Sequence, residues 1–398
     1  MTNLRETVFK KIEDKEQRII ELRRHLHSHP ELSFEEENTS QFIKDFYKDK
    51  DVKMHTDLNG QHGLVVEING GQSGNTIALR ADFDALPIKE DTGLEFASQN
   101  EGVMHACGHD AHTAYLLGVA EALIEVKEDL PGTVKIIHQH AEEVPPGGAQ
   151  DILASGVLDD VDEVYGIHFF PNIDVGTIFV HKGEAFAGRS NFDMHIQGKG
   201  GHAAMPQNTN DALVAGAYFV TEAQTVVSRR IDPLESAVVS ISAFEAPGGY
   251  NVIQDNVTLR GTVRYMNEDL KETLYNEINN IARGLETTFN VKVNLDYKYD
   301  YPVLYNSDKQ TDAIQHILEQ AQGSYVTDVV DLGPITASED FAYYLTDKPG
   351  AFIVVGAKPV DYGVYPPHHP KMVLNEDGFQ VAAKALADIA LNRLTAEI

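Results

Sequence analysis

The 398-residue sequence predicts an α/β fold on a mostly parallel sheet, with a second, α+β unit inserted into it. Three observations predict this. Apolar runs of strand type alternate with helical patterns from Gly63 to His168, and the alternation resumes after residue 303. Carboxylates, imidazoles and a thiol recur at or just past the ends of those strands. Between Gly183 and Pro302 the order changes and that clustering stops.

Residues 4–28 read as a helix, because Leu4, Val8, Ile12, Ile19, Leu22 and Leu26 keep a broken three-to-four spacing among Glu, Lys and Arg. Pro30 ends it. His25, His27 and His29 lie on that charged helix end and are read as helix C-terminal and N-cap chemistry. A second helix is predicted from about Asn38 to Lys48. Strand Gly63–Ile68 stops at Asn69-Gly70-Gly71, and strand Thr76–Ala81 runs into Asp82-Phe83-Asp84. Residues 111–126, rich in Ala and Leu, predict a buried helix. Strand Thr133–His140 runs into Ala141-Glu142-Glu143, and strand Val164–Ile167 ends at His168. In open α/β sheets, that edge is where ligands bind.

The inserted unit starts with strand Asn191–Ile196, which leads to Gly198-Lys199-Gly200-Gly201-His202. A helix from Asp211 to Arg229 follows, then strands near 236–244 and 257–265, a helix near 268–286 and strand Val291–Tyr297. This β-α-β-β-α-β order suits a ferredoxin-like split βαβ unit. The expected boundaries are therefore 1–183 with 303–398 for one domain and 184–302 for the insertion. The first domain resumes with a helix at 309–322, Ser338-Glu339-Asp340-Phe341, strand Ala351–Gly356, Pro366-Pro367-His368-His369-Pro370, and a closing helix at 376–394.

The stretch His105-Ala106-Cys107-Gly108-His109-Asp110-Ala111-His112 concentrates the chemistry. It holds the only cysteine and three of the seventeen histidines. Cys107 and His109 cannot share a helix face, but a turn at Gly108 lets thiolate and imidazole converge on one ion. Those are donors that borderline metals prefer. The alternative is a buried structural Cys beside capping residues. His112, three residues after His109, is read as supporting the site rather than binding metal. Glu142 and Glu143 are neighbours on a strand, so only a local bend lets both face one point.

Composition excludes several classes. With 42% hydrophobic and 23% charged residues, the chain reads as an ordinary globular protein. A formal net charge of −29 opposes nucleic acid binding, since phosphates would be repelled. No apolar run approaches the ~20 residues that span a bilayer. The start, Met1-Thr2-Asn3-Leu4-Arg5-Glu6, lacks the basic and apolar regions of a signal peptide. One cysteine fits a reducing compartment, so a cytoplasmic location is expected.

These residues fall into a recognisable series. It runs from Arg23-Arg24-His25-Leu26-His27-Ser28-His29-Pro30-Glu31-Leu32-Ser33 through Arg80-Ala81-Asp82-Phe83-Asp84-Ala85-Leu86-Pro87 to Met104–Ala114. It continues with Ala141-Glu142-Glu143, Gly147-Gly148-Ala149, Gly200–Pro206, Asn251-Val252-Ile253, Gly261-Thr262-Val263-Arg264, Ser338–Phe341 and His368-His369-Pro370. In that order, over nearly the whole chain, it resembles the amidohydrolase branch of the aminoacylase, hippurate hydrolase and carboxypeptidase metallopeptidases. The resemblance implies a metallo-hydrolase domain and an inserted ferredoxin-like lid and dimerisation domain. Each subunit would hold two divalent ions (Zn, Mn, Co or Ni). It further implies Cys107, His109, Glu143, His168 and His368 as metal ligands, Glu142 as general base and Asp84 as the aspartate orienting the site. Alignment of His368-x-Pro370 favours His368 over His369. His202 would polarise the scissile carbonyl, often in the partner subunit, and Asn251 and Arg264 would contact the substrate. The small-molecule substrate implied is an N-acyl amino acid, with an N-acetyl or aryl-acyl group. The alternatives are a dipeptidase or aminopeptidase on the same site, and an inactive metal- or ligand-binding relative.

Overall fold

A computed structural model describes residues 2–397 and divides them into two compact units. The first contains the chain up to Gly183, then Tyr305–Gly333, and everything from Asp340 onward. The second contains Glu184–Leu304 and Pro334–Glu339.

The first unit is built on an eight-stranded sheet, ordered Lys53–His55, Leu64–Asn69, Pro131–Gln139, Gln72–Asp82, Glu163–Phe170, Gly350–Gly356, Thr177–Phe179 and Asp328–Val330. The four central strands, from Pro131–Gln139 to Gly350–Gly356, are mutually parallel. Their C-terminal ends therefore share one edge. Antiparallel pairings occur toward the margins. Three of the central strands are almost wholly buried and Gln72–Asp82 is buried from Ile77 onward, as expected when both faces are covered.

The N-terminal pattern folds as two helices, Thr2–Asp14 and Glu16–Ser28, rather than one, with Lys15 between them. Helix His109–Ile124 is buried along nearly its whole length, which explains its all-round Ala, Leu and Val content. A Cβ on Gly118 would stand 2.5 Å from Ile19 Cδ1, so glycine there permits the close approach of helix Glu16–Ser28. Strand Glu163–Phe170 extends past His168, which therefore lies within the strand and not after it. Among the described residues no helix is long and apolar enough to cross a membrane.

The second unit is a four-stranded antiparallel sheet ordered Ala237–Glu245, Asn256–Tyr265, Gly188–Gln197, Lys292–Tyr301. With helices Ala212–Thr225 and Leu270–Phe289, its chain order is the split βαβ arrangement. Apolar residues of both helices join one face of the sheet in a separate core that includes Phe192, Met194, Phe219, Leu259, Ile278 and Leu285. Asp211 caps its helix, accepting from the N–H groups of Leu213 and Val214. Residues 334–339 group with this unit because Ile335 and Ala337 exchange backbone hydrogen bonds with Ala185 and Ala187.

Candidate metal centre

Four loops at the common sheet edge of the first unit bring the centre together. Gly108, at φ +92°, turns the chain into helix His109–Ile124 and separates the two donors Cys107 and His109. Cys107 Sγ lies 3.3 Å from His168 Nε2, while His168 Nδ1 donates to the Phe169 carbonyl at 2.8 Å. That bond leaves the Nε2 lone pair of His168 directed at the thiol. His109 Nδ1 donates to Asp84, 3.0 Å from both Oδ1 and the main-chain oxygen. Its Nε2 is buried without a hydrogen-bond partner. The nearest carboxylate oxygens, on Asp82, Glu143 and Glu142, stand 3.7, 3.9 and 4.0 Å away.

The bend needed for the paired glutamates is at Ala141, whose φ of +50° is unusual for a residue with a side chain. Both Glu142 and Glu143 then come within reach of His109. Asp84 ties this loop to the helix start, because its Oδ2 accepts from the N–H of Glu143 at 3.0 Å. His368, at φ +67°, donates its backbone N–H to the Ala106 carbonyl at 2.7 Å. Its Nε2 lies 3.1 Å from Glu143 Oε1. His369 turns elsewhere, stacking on Tyr365 with ring centres 4.4 Å apart.

Several sets of three donors have their donor atoms within 4.8 Å of one another, among them Asp82, His109 and His112, and His109, Glu142 and Glu143. Two sets contain the thiol, namely Cys107, His109 and His168, and Cys107, Glu143 and His368. Cys107 belongs to both. A buried, unpartnered imidazole nitrogen amid thiol, imidazole and carboxylate donors fits a borderline divalent cation.

The electrostatics of the three donors differ. Burial, together with Glu143 and Glu142, pushes the Cys107 thiol well above its ordinary value, an effect that cationic charge would reverse. Burial and the neighbouring His112 and His109 hold the His168 imidazole well below its usual range, which keeps it a neutral donor. For His109, burial alone would lower the value, but Asp82, Asp84 and Glu143 together push it up to about 10.

His112 uses both ring nitrogens within the protein. Nδ1 donates to Asp82 Oδ1 at 2.7 Å, and Nε2 accepts from the Phe169 N–H at 3.1 Å. Asp82 has a part that the sequence did not assign. It links His112 to Arg80, whose guanidinium reaches Asp82 Oδ2 at 2.6 Å and Asp340 Oδ1 at 2.9 Å. The signal was present in Arg80-x-Asp82, since alternate residues of one strand point the same way.

His202, Asn251 and Arg264 all belong to the second unit. His202 is exposed on the short strand Gly201–His202, opposite Val252, and Ala203 donates to the Asn251 carbonyl at 3.0 Å. His202 and Asn251 thus lie together, beyond the sheet end where Gln197 pairs with Asn256. Arg264 pairs with Arg189 near the other end. At ~3.3 Å per residue, the eight residues from Asn256 to Arg264 span about 26 Å.

Residues 78–392 match peptidase family M20/M25/M40. The chain belongs to that family. It is 42% identical over 293 residues to the N-acyl-L-amino acid amidohydrolase of Geobacillus stearothermophilus, covering 73% of this chain and 78% of that one. To the N-acetyl-L-cysteine deacetylase of Bacillus subtilis (strain 168) it is 37% identical over 375 residues, 94% of this chain and 88% of the relative. A crystal structure from methicillin resistant Staphylococcus aureus superposes with a TM-score of 0.92 at 47% identity, covering 98% and 100% of the two chains. A dinuclear metal binding peptidase of the M20 family from Bacillus subtilis superposes at 0.82 and 32% identity, covering 96% and 99%. The chain is accordingly a hydrolase of the amidohydrolase branch, as its motifs suggest.

Proposed function

We propose that the protein hydrolyses the amide bond of N-acyl amino acids, N-acetyl or aryl-acyl, at a two-cation centre. The ligands in this reading are Cys107, His109, Glu143, His168 and His368. The carrying observation is that these five residues form two donor sets sharing Cys107. Two divalent cations held there would polarise the amide carbonyl and acidify a water.

The protein's own groups supply the rest. Glu142, 4.0 Å from His109 Nε2 and outside the two sets that contain Cys107, is assigned to taking a proton from the attacking water and returning it to the leaving amine. Asp84 fixes the His109 ring through Nδ1 and thereby presents Nε2. In the second unit, His202 is assigned to polarising the carbonyl, where a fixed donor opposes developing charge. Asn251 and Arg264 are assigned to the substrate. The Arg264 guanidinium is partly buried, and its planar donor fork suits a substrate carboxylate.

About 26 Å of strand lies between Arg264 and the end where His202 and Asn251 sit. One small substrate cannot touch both ends of the same sheet. This supports a homodimer through the inserted domains, in which His202 and Asn251 serve the partner subunit's site. The expected compartment is the cytoplasm.

The test is a panel of N-acetyl and aryl-acyl amino acids, run against dipeptides, after chelation and reconstitution with manganese or zinc. Acyl amino acids should be cleaved, and only by the reconstituted protein. Preference for dipeptides would assign the same site to a dipeptidase. Stoichiometric metal binding with no amide cleavage would leave a binding protein.

A further inference from the structure

We infer that the segment from His27 to Glu36 is a strap whose side chains position the metal centre from behind. The inference deepens the reading above and rests on it for the identity of the centre. Three residues of this one stretch reach three different segments. His27 Nδ1 lies 2.7 Å from Asp110 Oδ2, and Asp110 follows His109 in the first turn of its helix. Ser33 Oγ donates to Asp84 Oδ2 at 2.7 Å, and that same carboxylate holds His109 Nδ1 and the N–H of Glu143. Glu36 Oε1 accepts from the N–H of Ala141 at 2.8 Å, the left-handed residue that turns Glu142 and Glu143 into the site. Each contact is made one step behind a ligand or the base, so these are positioning residues.

The strap is itself held firmly. Arg23 Nε shares Asp110 with His27 at 2.9 Å, and Glu90 Oε1 stands 3.2 Å from His27 Nε2. Leu32 bridges in parallel to Ala85, whose N–H donates to the Glu31 carbonyl at 2.8 Å. The Glu31 carboxylate accepts from both the N–H and the hydroxyl of Thr39, at 2.7 and 2.9 Å, which fixes the start of the next helix. Between Ser33 and Glu36, Phe34 is held at φ +68°, with its ring edge-on to His140 at 5.7 Å. A bulky residue persists in that region only where its surroundings over-determine it. Glu36 and His27 are fully buried, so neither is a solvent-facing surface group.

Removing such outer partners characteristically costs about 10- to 100-fold in metal affinity. The test uses full-length protein, stripped of metal and titrated with Co2+ while its visible absorption is recorded. Ser33→Ala and Glu36→Ala should weaken Co2+ binding by about 10- to 100-fold and alter the ligand-field and thiolate-to-cobalt bands. Ser33→Thr, which restores a hydroxyl, and Glu36→Gln, which keeps an acceptor for the Ala141 N–H, should recover most of both. The melting midpoint of metal-free Ser33→Ala should stay near wild type. Unchanged cobalt affinity and spectrum in Ser33→Ala would overturn the inference. So would a loss fully accounted for by a lower metal-free melting midpoint. Glu36→Ala empties a buried site, so Ser33→Ala, which deletes one oxygen, decides the matter if the former fails to fold. Wild-type protein that binds cobalt and cleaves no acyl amino acid would refute the proposed reaction alone, and the cobalt comparison would still judge the strap.

Discussion

Cys107 Sγ and His168 Nε2 stand 3.3 Å apart although sixty-one residues separate them in the chain. One comes from the turn before a helix and the other from within a central strand. The proximity means that neither donor can be lost without disturbing the other's charge balance. Cys107→Ala should therefore reduce bound metal from two ions toward none, since the thiol belongs to both donor sets. Metal analysis of gel-filtered protein checks this. Two ions retained in Cys107→Ala would refute the shared-ligand assignment.

Glu142 and Glu143 should separate into two roles. Glu142→Gln is expected to keep near-normal metal content and lower turnover by roughly 10²-fold or more, as loss of a general base predicts. Glu143→Gln should lose metal as well, because Glu143 lies in a donor set with Cys107 and His368. Metal content and kcat measured on the same samples decide. Equal metal loss in the two variants would show the roles to be misassigned.

Subunit sharing predicts complementation. His202→Ala and Glu142→Gln proteins, each nearly inactive, should regain activity when mixed and allowed to exchange subunits, since one site of each mixed dimer is whole. Sedimentation should report a dimer. A monomer with full activity, or mixtures no better than their components, would exclude the arrangement.

Acid stability should depend on Glu163. Its buried carboxylate accepts from Arg393 Nε and Nη2 at 2.7 and 2.6 Å, from Gln310 at 2.8 Å and from Tyr165 at 2.7 Å. Burial would raise its pKa, but these donors outweigh burial and hold it below the ordinary value. A folded-state pKa below the unfolded one, about 4.3, gives stability that is full above pH 5 and lost as pH falls through the folded value. Glu163→Gln leaves Arg393 without its counter-charge and should cost on the order of 3 kcal/mol at pH 7. It should also flatten the decline in melting midpoint between pH 5 and 3. An unchanged acid slope would show that other carboxylates control it.

Much of the site was legible because chemistry was placed by local rules. Asp82, Asp84, Glu142 and Glu143 announced themselves at the ends of apolar strands, and Gly108 marked the turn between two donors. What was not legible depended on distance in the chain. His27 looked like a helix-end histidine because its partners, Asp110 and Glu90, lie eighty-three and sixty-three residues away. The three-residue strands Lys53–His55, Thr177–Phe179 and Asp328–Val330 are too short to show a period of two. Strand Glu163–Phe170 overran its expected end because Phe169 and Phe170 continue pairing with Val355 and Gly356.

Strand Gly350–Gly356 lies between Glu163–Phe170 and Thr177–Phe179, yet it is made long after both. A growing chain leaving the ribosome must hold strand Glu163–Phe170 with one side unpaired until more than a hundred and seventy further residues have been translated. Such a gap invites wrong partners. His368 follows the late strand, so the donor set of Cys107, Glu143 and His368 is complete only after that strand has been made. A chain that stops before residue 350 would keep most of the donors and still have no completed sheet on which to assemble them.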